Sequence, residues 1–359
     1  MRHIMFILWN HYGFSLRPDL RPILFPNYPL FCDCLALGRA AFSYKRSTGS
    51  EDTENKYLSS LITNTTSKNI FQMDKKIKSK LRVSSPIFRE FVAECLGTFF
   101  LVMIGDASVA QSVLSKEEKG DFFSINWGFG MGAMLAVLIC GGVSGAHLNP
   151  AVTLAMAIVG KHPWKKVLHY MAGQYLGGFL AAAVVLGVYS EGIYYYEDQV
   201  GNGTLNIGNT AGIFATYPYL WTTTLGGFVD QIVGTMVLLI AICAITDEKN
   251  MQISKPLIPL YVGFTFVAIG VAFGANCGYA INPARDLSPR IITLIAGWGS
   301  ATFTVNDYWF WVPIVGPHVG AILGVFIYIL CIEMHWPEDD KSESLAKSKV
   351  EEQTIDIDS

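Results

Sequence analysis

Charge is scarce in this sequence. Asp, Glu, Lys and Arg make up 15% of 359 residues against 51% hydrophobic, with a mean hydropathy of +0.36. An ordinary soluble domain carries about 25% charged residues, so the composition excludes that class and implies a membrane-integral protein. No basic stripe with interleaved aromatics occurs, and the net charge is −3, which excludes a nucleic-acid binder by bulk electrostatics. The seven cysteines (Cys32, Cys34, Cys95, Cys140, Cys243, Cys277, Cys331) lack CxxC or Cys/His spacing, so neither a zinc site nor a disulfide framework is implied. Cys32 and Cys34 form a close pair without a partner His. No nucleophile with a base and no metal set is recognisable; the chain reads as a non-enzyme needing no cofactor. The last absence is local: Ser190 to Trp221 contains no Lys or Arg.

Six apolar stretches are long enough to cross a bilayer: Phe88 to Leu114, Ile125 to Gly141, Val167 to Tyr189, Thr224 to Ile245, Leu257 to Phe273 and Tyr308 to Cys331. Residues 1–86 read as a cytoplasmic, largely disordered tail that is Ser-, Thr- and Asn-rich over 46–70, with Met73 as an alternative start just before the membrane region. Residues 336–359 read as an acidic, disordered cytoplasmic tail. Basic residues cluster before the first span (Lys75 to Arg89), at Lys161, Lys165 and Lys166, and at Lys249 and Lys255. By the positive-inside rule both termini are cytoplasmic, and Ser190 to Trp221 faces outside. That outer loop carries Asn202-Gly203-Thr204, a possible glycosylation sequon. The expected location is the plasma membrane.

One tripeptide occurs twice, in His147-Leu148-Asn149-Pro150-Ala151 and in Ile281-Asn282-Pro283-Ala284-Arg285. Asn caps the first free amides of a helix, and Pro at the next position loses only an N–H that was unpaired anyway, so each copy opens a helix. The apolar runs that follow, Ala151 to Val159 and Ala284 to Ala296, are too short to span. They read as two re-entrant half-helices. The two copies lie 282 − 149 = 133 residues apart, and Phe91 to Thr98 in span one parallels Phe228 to Thr235 in span four. Three spans separate the copies, so the halves enter from opposite faces and form an inverted repeat with its site near the midplane. The expected fold is an all-α membrane protein of six transmembrane helices plus two half-helices.

Two half-helix N-termini at the bilayer centre each contribute about half a positive charge, which repels cations and protons and leaves neutral molecules unopposed. With the side-chain carbonyls of Asn149 and Asn282 committed to capping, their NH2 groups are expected to be free donors to a passing oxygen.

At these residues the sequence resembles the aquaporin (major intrinsic protein) family over about residues 87–335. The segments Ser144 to Thr153, Phe214 to Pro218 and Asn282 to Arg290 look like its aquaglyceroporin branch. The resemblance implies a homotetramer in the lipid bilayer, each subunit with its own pore for glycerol, water and other small neutral solutes. It also implies a four-residue selectivity filter, assigned here to Trp127, Gly270, Tyr279 and Arg285. Arg285 would hold hydroxyls and repel cations, Trp127 and Tyr279 would wall the carbon side of a polyol, and Gly270 would leave room. Taken singly, Trp127 near a span end also reads as an interfacial anchor, Gly270 as a packing glycine and Tyr279 as a core aromatic. His147 is expected to present its backbone carbonyl to the pore. Glu94 and Gln231 are expected to accept from backbone N–H groups near the half-helices, and Asp286 to brace a loop. A secondary transporter would want a coupling site, yet Glu94, Asp106 and Asp230, the acids well inside spans, form no evident cluster.

Overall fold

A computed structural model describes residues 82–201 and 203–337. Of the proposed tails, residues 1–81 and 338–359 lie outside the described residues, as do Met73 and Asn202.

Among the described residues there are nine α-helices and no strand. Helix α1 spans Pro86–Leu114, α2 Phe122–Ser144, α3 Pro150–Ile158, α4 Trp164–Val200, α5 Thr224–Thr246, α6 Ile258–Cys277, α7 Pro283–Thr293, α8 Ala301–Tyr308 and α9 Val312–Cys331. Local chemistry sets the helix starts. Ser85 caps α1 ahead of Pro86, Asp121 and Ser124 close a reciprocal capping box at α2, and Thr223 caps α5. The half-helices are α3, with nine residues, and α7, with 11, which runs on into a π-turn over Leu294–Trp298.

By length and composition, five stretches among the described residues are apolar enough to cross a membrane: Phe122–Ser144, Trp164–Val200, Thr224–Thr246, Lys255–Cys277 and Ala301–His335. The sixth expected span, α1, has ample length at 29 residues but carries Arg89, Glu90, Glu94 and Asp106. Its three carboxylates are buried in the bundle, where each meets a polar or basic partner. Charge at membrane depth is tolerated in that arrangement, and α1 completes the six.

The repeat is visible in the packing. In the first half α1 contacts α2 and α4; in the second, α5 contacts α6 and α9 in the same way. Each half-helix packs across the molecule, α3 on α9 and α7 on α4, so neither half holds its own motif alone. The halves meet where α2 crosses α6. A Cβ on Gly130 would lie 2.8 Å from the Gly263 carbonyl oxygen, and one on Gly263 would lie 2.8 Å from that of Gly130. These glycines are again 263 − 130 = 133 residues apart. Only glycine permits so close a backbone approach.

The outer segment differs from the expected loop. Helix α4 has 37 residues and continues well past Tyr189, and Ala211–Ile213 forms a 3-10 turn. Buried Glu197 gathers this segment by accepting from the Asn206 backbone N–H at 3.1 Å, the Asn209 amide at 2.8 Å and the Thr210 hydroxyl. Phe214 is thereby fixed in the interior against Trp298, ring centroids 5.6 Å apart. The segment lies over the second motif rather than hanging free.

Candidate functional site

Each Asn-Pro-Ala copy forms its helix start as the local sequence requires. The Asn149 side-chain oxygen accepts from the Ala151 N–H at 2.9 Å, and that of Asn282 from Ala284 and Arg285 at 3.0 and 3.3 Å. The two motifs then join by an exchange. The Asn149 NH2 donates to the Ile281 carbonyl at 2.8 Å, and the Asn282 NH2 donates to the Leu148 carbonyl at 2.8 Å. The expectation of wholly free NH2 groups is therefore corrected. One N–H of each locks the motifs together, and the other is left for a solute.

The backbone leading into each motif is strained alike. Ala146 and Leu148 have φ of 55° and 57°, and Tyr279 and Ile281 have φ of 34° and 42°. Left-handed backbone at a β-branched residue such as Ile281 is a genuine outlier, and such strain persists only where the surroundings enforce it. Gly145 and Gly278, at φ of 83° and 73°, end the preceding helices at equivalent places.

Glu94 enforces the first loop. Its carboxylate accepts from the backbone N–H of His147 (3.0 Å) and Leu148 (2.7 Å), from the Ser144 hydroxyl (2.5 Å) and from the Gln174 amide (2.8 Å). Gln231 makes one such contact in the second loop, accepting from the Ile281 N–H at 2.8 Å while its NH2 donates to the Cys277 sulfur at 3.1 Å. The His147 ring is held at Thr153 Oγ1, 3.1 Å from its Nδ1, and packs beside His162 and Tyr170.

No protein group among the described residues donates to the carbonyls of Gly145, Ala146 and His147, or to those of Gly278, Tyr279 and Ala280. Unpaired backbone at membrane depth is tolerable only along a watery path. Two runs of acceptors thus lead to a centre of donors, an arrangement suited to hydroxylic molecules.

Beyond the centre, Arg285 is fixed by donation from Nη1 to the Phe214 carbonyl at 2.8 Å, with Asp106 Oδ1 at 3.4 Å. Its Nε and Nη2 have no protein acceptor among the described residues. The guanidinium lies over the Phe129 ring, 4.6 Å from the centroid, and Tyr279 stands edge-on to Phe129 at 5.9 Å. Gly270 lies directly against Tyr279; a Cβ there would be 2.7 Å from the ring and 2.5 Å from Asn126 Oδ1. The missing side chain is thus filled by its neighbours rather than left as open width. The Tyr279 hydroxyl and Asn126 Oδ1 are both buried beside this constriction without a hydrogen-bond partner among the described residues.

Trp127 does not join the set. It is 38% exposed and packs edge-on against Phe123 and Phe264 on the outer face. The aromatic beside Arg285 is Phe129, 4% exposed. The helix period explains the correction: Asn126, Phe129, Gly130, Ala133, Ala136 and Cys140 share the buried face of α2, and Trp127 falls outside it. That spacing is present in the sequence and identifies Phe129.

Asp286, next to Arg285, faces away from this constriction. Its carboxylate accepts from the Thr216 N–H at 2.7 Å, the Thr216 hydroxyl at 2.5 Å and Arg290 Nε at 2.9 Å. Arg290, fully buried, also donates to the carbonyls of Thr302 and Thr216 at 2.9 and 2.6 Å. This knot ties α7 to the outer segment that presents the Phe214 carbonyl.

Six spans, two half-helices meeting end to end and a path of unpaired acceptors define a membrane channel for small neutral solutes, not an enzyme. The family model described as "Major intrinsic protein" matches residues 81–328. The chain is 44% identical over 312 residues to an Aquaporin-10 of Milnesium tardigradum, covering 82% of this chain and 76% of that one. It is 43% identical over 268 residues to Aquaporin-9 of Homo sapiens, covering 74% and 90%. In structure it is similar to the aquaglyceroporin from Plasmodium falciparum, with a TM-score of 0.62 and 31% identity, covering 68% of this chain and 97% of that one. The chain belongs to the major intrinsic protein family.

Proposed function

We propose that the protein conducts glycerol, other small uncharged solutes and water down their gradients, and excludes protons and ions. The observation that carries this reading is the constriction formed by Arg285, Phe129 and Tyr279. Arg285 keeps unbonded N–H groups for two adjacent hydroxyls, and the two rings offer apolar surface to the carbon chain. Such a set suits a molecule with hydroxyls on one edge and carbons on the other. In this reading Asn149, Asn282, Gly270, Tyr279, Arg285, the His147 carbonyl and Phe129 line the path, while Glu94, Gln231 and Asp286 support it. The relatives' names, aquaporins and an aquaglyceroporin, support the same solute class.

The functional unit is proposed to be a homotetramer in the plasma membrane with both termini cytoplasmic. Residues 87–335 form the channel, and residues 1–86 and 336–359 are its tails. Lys161, Lys165, Lys166, Lys249 and Lys255 support this orientation, because all lie at one end of the spans.

Reswelling of proteoliposomes across a series of solutes of increasing size tests the reading. Glycerol is expected to accelerate reswelling without any ion gradient; uptake that required a proton or sodium gradient would overturn the channel assignment.

A further inference from the structure

The buried acid Asp106 has no role in the pathway described above, and its surroundings are unusual. It is fully buried in α1, and neither carboxylate oxygen has a hydrogen-bond partner. Its charged neighbour is Arg285, whose Nη1 lies 3.4 Å from Oδ1. The other acid close by, Asp286, is already engaged by Arg290 at 2.8 Å. The preceding residue, Gly105, brings the Phe129 ring directly against α1, since a Cβ there would lie 2.1 Å from the ring. Asp106 therefore sits behind the wall of the constriction, beside the guanidinium that faces the solute.

A buried carboxylate without hydrogen bonds is unfavourable for folding alone, and ion pairs of this kind add little net stability. Its effect on the field at the constriction is direct. Arg285 by itself would place a full positive charge in a low-dielectric passage already made positive by two half-helix N-termini. That field repels cations and draws in small anions. A carboxylate beside Arg285 cancels the net charge while leaving the outward N–H donors in place.

We propose that Asp106 is a specificity-determining residue that neutralises Arg285, so that the constriction rejects anions as well as cations while still binding hydroxyls. This rests on the channel reading above, and the test separates the two. Asp106→Asn keeps the shape and removes the charge. In proteoliposomes it is expected to raise formate and nitrate permeability at least about tenfold, with glycerol flux within about twofold of the unaltered protein and potassium still excluded. Arg285→Gln, with Asp106 intact, is expected to admit potassium. The double variant, uncharged at both positions, is expected to show neither leak.

Anion permeability unchanged in an Asp106→Asn channel that conducts glycerol overturns the proposal, and is also the result if Asp106 is protonated in the native channel. Should Asp106→Asn not reach the bilayer, Arg285→Gln is compared with the double variant. A potassium leak abolished in the double variant supports the charge balance, and leaks that are equal or absent in both overturn it. Absence of glycerol flux in the unaltered protein would instead defeat the channel reading itself.

Discussion

In the first half of the repeat the motif loop hangs from a carboxylate, and in the second it hangs from an amide. Glu94 accepts four hydrogen bonds, two of them from loop backbone; Gln231 accepts one from the loop backbone. Both loops nonetheless carry the same pattern of left-handed residues and exchange the same Asn-to-carbonyl bonds. The second loop is compensated from outside, because the knot of Asp286, Arg290 and Thr216 ties its half-helix to the outer segment. The filter side chains also break the symmetry. Applying the repeat offset to Arg285 gives 285 − 133 = 152, and residue 152 is a valine; Tyr279 corresponds to Ala146 in the same way. The shared backbone makes a path for neutral hydroxylic molecules, and unshared side chains, Arg285 and Tyr279 of the second half with Phe129 of the first, make the proposed constriction.

This contrast is open to attack most strongly through the supports. Glu94→Ala leaves two backbone N–H groups, Ser144 and Gln174 without their acceptor, and is expected to cost about 3–5 kcal/mol. Gln231→Ala orphans a single N–H and is expected to cost about 1–3 kcal/mol. Thermal denaturation of the two variants in detergent measures the difference, and equal losses would break the comparison. Arg285→Val makes the two halves alike at the equivalent position and leaves Asp106 uncompensated. Potassium conductance is expected to rise about tenfold or more; unchanged conductance would remove Arg285 from its role.

Smaller effects sharpen the filter. Gly270→His, forced against Tyr279 and Asn126, is expected to lower glycerol flux about tenfold and water flux less, and an equal loss of both would count against this filter. Phe129→Ala is expected to shift the glycerol-to-water flux ratio by about threefold, with Trp127→Ala leaving it unchanged. Paired stopped-flow measurements decide between these two aromatics, and a larger effect at Trp127 would put it, rather than Phe129, beside Arg285 in the pore.

The smallest effect belongs to the end of the second half where Tyr328 and the Trp336 indole each donate to Asp247 at 2.9 Å. Burial works to raise the pKa of Asp247. The donors from Trp336, the Lys249 backbone and Tyr328 outweigh it and hold the carboxyl below its ordinary value. A depressed pKa stabilises the fold above the ordinary carboxylate pKa, and that contribution is lost as pH falls through the folded value. Asp247→Asn is thus expected to lower the melting temperature slightly at neutral pH, with the gap closing on acidification. A gap independent of pH would contradict the linkage.

Much of the architecture was legible in the chain. The half-helices were readable because Asn-Pro is a local signal, and the inverted repeat because an odd number of spans separates the copies. Other features were not. The outer segment read as a loop because nothing local announces that Glu197 gathers Asn206, Asn209 and Thr210 around itself. Phe129 was legible in the helix period of α2, whereas Trp127 entered the filter by family resemblance alone, and its place near a span end already favoured an interfacial anchor. The pairing of Asp106 with Arg285 joins residues 179 positions apart (285 − 106) in helices on opposite sides of the repeat. In the sequence Asp106 stands only as one of three acids well inside spans that form no evident cluster.

By itself, then, the sequence determined where the chain crosses the membrane, where it turns back and that two equivalent helix starts meet, since capping, hydropathy and period act over a few residues at a time. Only the tertiary structure decided how the Asn amides are shared, how the outer segment folds onto the second motif and which acid lies behind Arg285. Those contacts depend on how helices from the two halves pack against each other, and that geometry is set by the whole bundle at once.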